Sequence, residues 1–280
     1  MYQEKWRKGM PFGYYGDPHN VKWSSRMYVA TAKEQGAVLV NRAKVTRVLI
    51  KKGKAIGVEY QQKGRSRSVL GELVVIAAGG IGSPVILRNS GIPEAGYDFF
   101  FDPLVSVCGV VDNIRAQAEI PMSAGLHFQD EGYVMTDMSL PPALDTFFSG
   151  QALRFHRLFD QPRTLRIMIK IRDGLGGHIT GRGQVRKRLK EDDLKKLRQG
   201  SKRAKRILEH AGARGIFRTG YVAAHPGGTV KIGEILDSDL KTKKFDNLYV
   251  CDCSVIPEAW GLPPTMTLIC LGKRLAKHLA

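Results

Sequence analysis

The sequence predicts a mixed α/β protein, and three observations carry that prediction. Residues 72–78 (ELVVIAA) form a short, continuous apolar run that ends in Gly79-Gly80, the pattern of a buried parallel strand entering a glycine turn. Between about Phe99 and Thr180 the pattern changes to alternating segments, residues 104–111 and 165–171 among them, separated by loops containing Pro and Gly, as an antiparallel sheet requires. Near the end, residues 247–252 (NLYVCD) are a second buried run, followed by a Gly/Pro-rich turn and a helix predicted over residues 267–279.

The other elements follow in chain order. Residues through about Asn20 are rich in Gly, Pro and aromatics without a period and read as loop. Residues 24–35 have helical spacing, with Met27, Tyr28, Ala30 and Thr31 along them, and Gly36 falls where a helix ends. Three β-rich segments follow at 37–40, 43–51 and 55–61, the last two joined tightly through Lys52-Gly53-Lys54. After Gly79-Gly80, Ser83-Pro84 opens a helix through Asn89. Strand, glycine turn and helix in this order form the unit with which α/β proteins hold dinucleotides.

The 280 residues and 43% hydrophobic content suffice for the packed core of one large domain or two interleaved ones. No run approaches the roughly 18 to 20 apolar residues of a membrane span, and Met1 to Trp6 contain no apolar signal core, so the expected location is the cytoplasm. The four cysteines, Cys108, Cys251, Cys253 and Cys270, include no Cys-x-x-Cys, and three lie in apolar stretches where a free thiol packs as a small hydrophobe. On a strand, Cys251 and Cys253 would point to one face and could serve a metal, but nothing nearby supplies further ligands. Much of the formal charge of +18 sits in residues 182–206, and Leu189, Leu194, Leu197 and Ala204, continued by Ile207 and Leu208, keep a broadly helical spacing there. This reads as a solvated helical face. No aromatic residue lies between Phe159 and Phe217 to stack on bases, so no specific nucleic-acid partner is expected.

Three blocks in order resemble the glucose-methanol-choline (GMC) oxidoreductase family. The first is Gly36-Ala-Val-Leu-Val-Asn-Arg-Ala-Lys-Val-Thr-Arg-Val-Leu49 with Lys54-Ala-Ile-Gly-Val-Glu59. The second runs from Val75 through Gly79-Gly80 and Ser83-Pro84 to Ile92. The third joins His225-Pro-Gly-Gly-Thr229, Gly233, Asp239-Leu240, residues 247–257 and the helix after Pro263-Pro264.

The resemblance implies a partial FAD-binding domain with an inserted antiparallel-sheet substrate domain. The implied division is 1–100 and 219–280 for the FAD-binding parts and 101–218, with the basic helices, for the substrate domain. It implies FAD as cofactor, approached by Val45 (backbone, at the adenine), Ala78, Gly79, Asp252, Cys253, Pro264 and Thr265. A structural alternative for Asp252 is a turn or helix N-cap carboxylate. The helix N-terminus after Pro264 would stabilise negative charge on the flavin ring.

The implied reaction is oxidation of a small alcohol or sugar-like substrate, with His225 as the base, a satisfied structural histidine being the alternative. The family's second Asn or His has no match in Trp260-Gly-Leu-Pro-Pro-Thr-Met-Thr267. Thr265, a middle-domain residue or His225 alone is left for that task. His19, His127, His156, His178, His210 and His278 have no comparable context. Aromatics such as Phe99 to Phe101, Phe147, Phe148, Phe155 and Phe159 read as core.

The G-x-G-x-x-G turn that cradles a dinucleotide pyrophosphate is absent from the sequence. The expectation is therefore a shortened product, a homo-oligomer or a partner chain that supplies the turn, and the apolar run 74–78 should present an open edge. A reading of a different class is a non-enzymatic interaction protein that binds a partner or polyanion through its basic helices.

Overall fold

The computed structural model describes residues 23–112, 114, 122–140, 142–153 and 160–280. The loop read through Asn20, together with His19, His156, Phe155 and Phe159, lies outside the described residues. The chain divides into two compact units.

One unit gathers Leu104–Lys170 and Lys195–Val222 with the segment through Val40. Its centre is the antiparallel sheet expected from the alternating segments. The strands β6 (Pro103–Val110), β7 (Gly125–Phe128), β8 (Tyr133–Asp137), β9 (Thr164–Ile171) and β12 (Arg214–Arg218) stand in the order β12-β6-β9-β8-β7, with β13 (Val222–Ala223) also on β6. Every residue of β6 is buried, so its run LVSVCGV is apolar or small throughout.

Arg166 on β9 and Asp145 on α3 (Pro142–Gln151) form a buried ion pair at 2.5 Å. Helix α4 (Glu191–His210) buries Leu197, Ala204 and Leu208 and exposes most of its Lys and Arg, which is the solvated basic face the spacing predicts. Ile207 is exposed, a correction to its place in the apolar stripe, because the stripe is narrower than the sequence suggests. Helix α1 (Arg26–Glu34) forms where expected and ends before Gly36 at φ +95°, but it has no buried residue.

The other unit comprises Asn41–Pro103, Ile171–Leu194 and Ala223–Ala280. A three-stranded antiparallel sheet, β1 (Lys44–Lys51), β2 (Lys54–Gln62) and β3 (Arg65–Leu70), covers its first part. The apolar segment 37–40 is no strand: among the described residues it pairs with none, and its Val38, Leu39 and Val40 are exposed. Strand β3 (RSRSVL) escaped the sequence reading because all six residues are exposed and show no apolar alternation.

The two buried runs at 72–78 and 247–252 meet as β4 (Val74–Ile76) and β14 (Leu248–Val250), paired in parallel with Val75 opposite Tyr249. Val74 and Ile76 are buried while Val75 is exposed. Around them Val48, Ile86, Leu87, Ile92, Val230, Leu236, Leu240 and Leu275 form a core.

Helix α2 (Gly79–Asn89) starts at Gly79, one turn earlier than Ser83-Pro84 suggested, which leaves Pro84 inside the helix. Small strands β5 (Tyr97–Phe99), β10 (Gly176–Ile179) and β11 (Val185–Arg186) form a further antiparallel group, and the closing helix α5 (Thr265–Leu279) begins two residues before its predicted start. Phe99, Phe100 and Phe148 are core, as read; Phe147 is exposed, because its neighbour Phe148 takes the inward position. No helix among the described residues is long and apolar enough to cross a membrane.

Candidate active site

The site begins with a problem in α2. A proline inside a helix has no N–H for the carbonyl four residues earlier, here that of Gly80. Thr229 supplies the missing donor, its Oγ1 lying 2.9 Å from the Gly80 carbonyl oxygen. This bond seats the loop His225-Pro-Gly-Gly-Thr229 on the first turn of α2. The approach is so close that a Cβ on Gly80 would stand 1.9 Å from the carbonyl oxygen of Pro226. Glycine is therefore required there by space.

The same loop is held on its other side by chain 99–102. Phe100 and Gly227 exchange both backbone hydrogen bonds, at 3.0 and 2.9 Å, and the Ala224 amide donates to the Phe101 carbonyl at 3.0 Å. A Cβ on Gly227 would meet the Phe100 ring at 2.4 Å and the Cys253 carbonyl at 2.7 Å. The ladder brings His225 to Asp102. His225 Nδ1 lies 3.3 Å from Asp102 Oδ2, with the Asp102 side chain 1% exposed and that of His225 32%. Both residues precede a proline and both hold left-handed backbone, at φ +44° and +54°.

Asp252 joins this group from the end of β14. Its Oδ1 accepts from the Ser254 amide at 2.7 Å, capping a short 3-10 turn over Cys253–Val255. Its Oδ2 accepts from the Gly79 amide at 2.9 Å and from Ser83 Oγ at 2.5 Å. The carboxylate thus serves two helix N-termini at once, the turn and cap role of the structural alternative.

Cys253 Sγ lies 3.7 Å from the His225 carbonyl oxygen. Burial, with the Asp252 and Asp102 carboxylates adding to it, pushes the Cys253 thiol up to about 12, so it remains protonated at neutral pH. Cys251 and Cys253 do not share a strand, because β14 ends at Val250; Cys270 is exposed, a correction to its reading as a packed thiol. No His, Cys, Asp and Glu grouping suited to a metal occurs among the described residues.

Val45 and Ala78 line one cavity of about 660 Å³, with Lys44, Ile81, Val85 and Arg182 among its other walls. Pro264 is buried as the N-cap of α5, where it makes no side-chain capping bond, and Thr265 is the helix's exposed first residue. The structure therefore gathers His225, Asp252, Cys253 and Gly79 closely, and Val45 with Ala78. It shows no hydrogen bond between Thr265 and His225 among the described residues. Asp102 was missed by the sequence reading; its one local signal is an Asp-Pro dipeptide after three phenylalanines.

Two family models match this chain, both described as GMC oxidoreductase, one over residues 2–117 and the other over 180–272. The chain belongs to the GMC oxidoreductase family. It is similar to an uncharacterized protein of Methanocaldococcus jannaschii, 26% identical over 77% of this chain and 55% of that protein. An uncharacterized GMC-type oxidoreductase of Mycobacterium tuberculosis is 26% identical over 93% and 48%. A long-chain-alcohol oxidase of Arabidopsis thaliana is 20% identical over 91% and 44%. The chain thus spans about half the length of the curated relatives it matches. Among solved structures, pyridoxine 4-oxidase from Mesorbium loti shares the fold, with a TM-score of 0.65 at 16% identity over 84% of this chain and 57% of that one.

Proposed function

We propose that this chain carries the base-bearing part of an FAD-dependent oxidoreductase that oxidises the CH–OH group of a small alcohol or sugar-like substrate. One observation carries the reading: a partly exposed His225, on a loop locked to Gly80 and Phe100, is aimed by backbone that neither neighbour would tolerate displaced.

The residues present fit the cofactor. The cavity beside Val45 and Ala78 lies within the usual size of a ligand site, its walls are mainly apolar, and Lys44 and Arg182 bring positive charge toward an anionic group. Gly79, at φ +77° with open space beside it, leaves room for a polar chain near Asp252. When bound, a flavin supplies a hydride acceptor.

His225 takes the hydroxyl proton, so that the carbon can release its hydride as the C–O bond becomes a carbonyl. The amides of the first turn of α5, which have no partner within the helix, favour negative charge in front of Pro264 and Thr265. The proposal includes a partner segment for the pyrophosphate-binding turn.

The test is an absorbance spectrum of the natively purified protein with any copurifying chain attached. Flavin bands that bleach anaerobically with an alcohol substrate are expected. In His225→Gln the bands should persist while bleaching slows at least about 100-fold. A spectrum that stays flat after FAD is added, or unchanged bleaching in His225→Gln, overturns the reading.

A further inference from the structure

The segment that carries Asp102 is built around a buried ion pair that the proposed reaction does not use directly. Lys187 and Asp173, whose side chains are 2% and 0% exposed, pair at 2.6 Å. Lys187 Nζ also donates to the carbonyls of Phe99 at 2.5 Å and Gly174 at 2.6 Å, so the ammonium is satisfied by three oxygens. Asp173 Oδ1 accepts from the Asp102 amide at 3.1 Å and the Phe101 amide at 3.3 Å. Burial pushes the Asp173 carboxyl up, opposed chiefly by Lys187 and its hydrogen bond. The result is a turn whose amides are tied down immediately before Pro103.

That turn holds Asp102 at φ +44°, and the facing loop holds His225 at φ +54°. Left-handed backbone is disfavoured for any residue with a Cβ, and a residue preceding proline is normally extended. Such conformations are costly and concentrate at functional sites. Here two of them face each other across one short ladder, and their common effect is to set one carboxylate oxygen against one ring nitrogen.

An ionised carboxylate only accepts hydrogen bonds, so a hydrogen bond to it requires the proton to sit on Nδ1. The other ring nitrogen, Nε2, then keeps its lone pair. We infer that Asp102 is a positioning residue for His225, holding the imidazole in the Nδ1–H tautomer with Nε2 free to accept the substrate proton, on a turn clamped by the Asp173–Lys187 pair. The inference rests on His225 being the base, in a chain whose Trp260 to Thr267 offer no Asn or His.

The test uses the 15N-histidine-labelled chain in its native assembly at about pH 8.5, where an imidazole is ordinarily neutral. Two-bond nitrogen–proton correlations separate the tautomers. Of the seven histidines, the one whose signals vanish in His225→Gln is followed. The expected wild-type result is a proton on Nδ1. Asp102→Asn preserves size and tolerance of left-handed backbone. Its amide donates to Nδ1 instead, so the proton should move to Nε2 and kcat should fall about 100- to 10,000-fold with KM little changed.

A wild-type His225 protonated on Nε2 overturns the inference and needs no variant to fold. So does an Asp102→Asn chain with unaltered tautomer and turnover. Full turnover in His225→Gln would instead refute the base, whatever the tautomer.

Discussion

Thr229 donates its hydroxyl hydrogen to the Gly80 carbonyl at 2.9 Å, serving an acceptor that Pro84 cannot reach. Both Thr229 and Gly80 are buried, so removing the donor leaves a carbonyl without its partner. Thr229→Val should cost about 1–3 kcal/mol of unfolding free energy, and Thr229→Ser should recover most of it. Urea titrations of the three chains decide this; equal midpoints for the Val and Ser variants would refute the assignment.

Gly80→Ala tests the same junction from the other side. Because its Cβ would stand 1.9 Å from a backbone oxygen, not a pliable side chain, loop and helix must separate. The expected loss is about 1–3 kcal/mol from overpacking, accompanied by loss of His225-dependent turnover. A stable and fully active variant would show that the loop is not seated there.

The Arg166–Asp145 pair predicts a different pattern. Arg166 also donates to the Thr164 carbonyl, and burial pushes the Asp145 carboxyl up against the opposing pull of Arg166. Either Arg166→Met or Asp145→Leu alone should cost about 3–5 kcal/mol, because each strands a buried charge. The double variant should restore most of that loss. A double-mutant cycle with purely additive effects would exclude the coupling.

Alkaline stability follows from the thiols. Burial pushes Cys108 up from 9.0 to about 12, so the folded chain holds this proton more tightly than the unfolded chain does. Its contribution is fully present below pH 9 and is lost as pH rises from 9 toward 12, at about 1.4 kcal/mol per pH unit. The difference in stability between wild type and Cys108→Ala should therefore shrink over that window, as read from urea midpoints at stepped pH. Native alkylation at pH 8 should modify the exposed Cys270 and spare Cys108 and Cys253.

These effects also mark what could be read from sequence. Continuous apolar runs announced β4 and β14, and short β-rich segments bounded by Pro- and Gly-containing loops announced β6 and β9, because those signals are local. The start of α2 was misplaced because Ser83-Pro84 has the appearance of a first turn. What lets the proline sit deeper is Thr229, a residue far along the chain, and no local pattern reports it.

Motif order pointed to His225, but Asp102 became visible only when the pairing of Phe100 with Gly227 placed the two side chains together. The exposed β3 forms a strand that its sequence does not announce, and the apolar segment 37–40, which pairs with nothing among the described residues, does not form one. Strand formation depended on a neighbour, not on apolar content.

The parallel pairing of β4 with β14 has a consequence for how the chain is made. Ala55 is bonded to Asn247 across 192 residues, and Gly79 to Asp252 across 173. At translation rates of about 5–20 residues per second, the early partner waits roughly 10–40 s for the late one. During that interval Val74 to Ile76 have emerged from the ribosome without the strand that covers them. The nascent chain therefore carries this apolar segment uncovered until the late strand arrives.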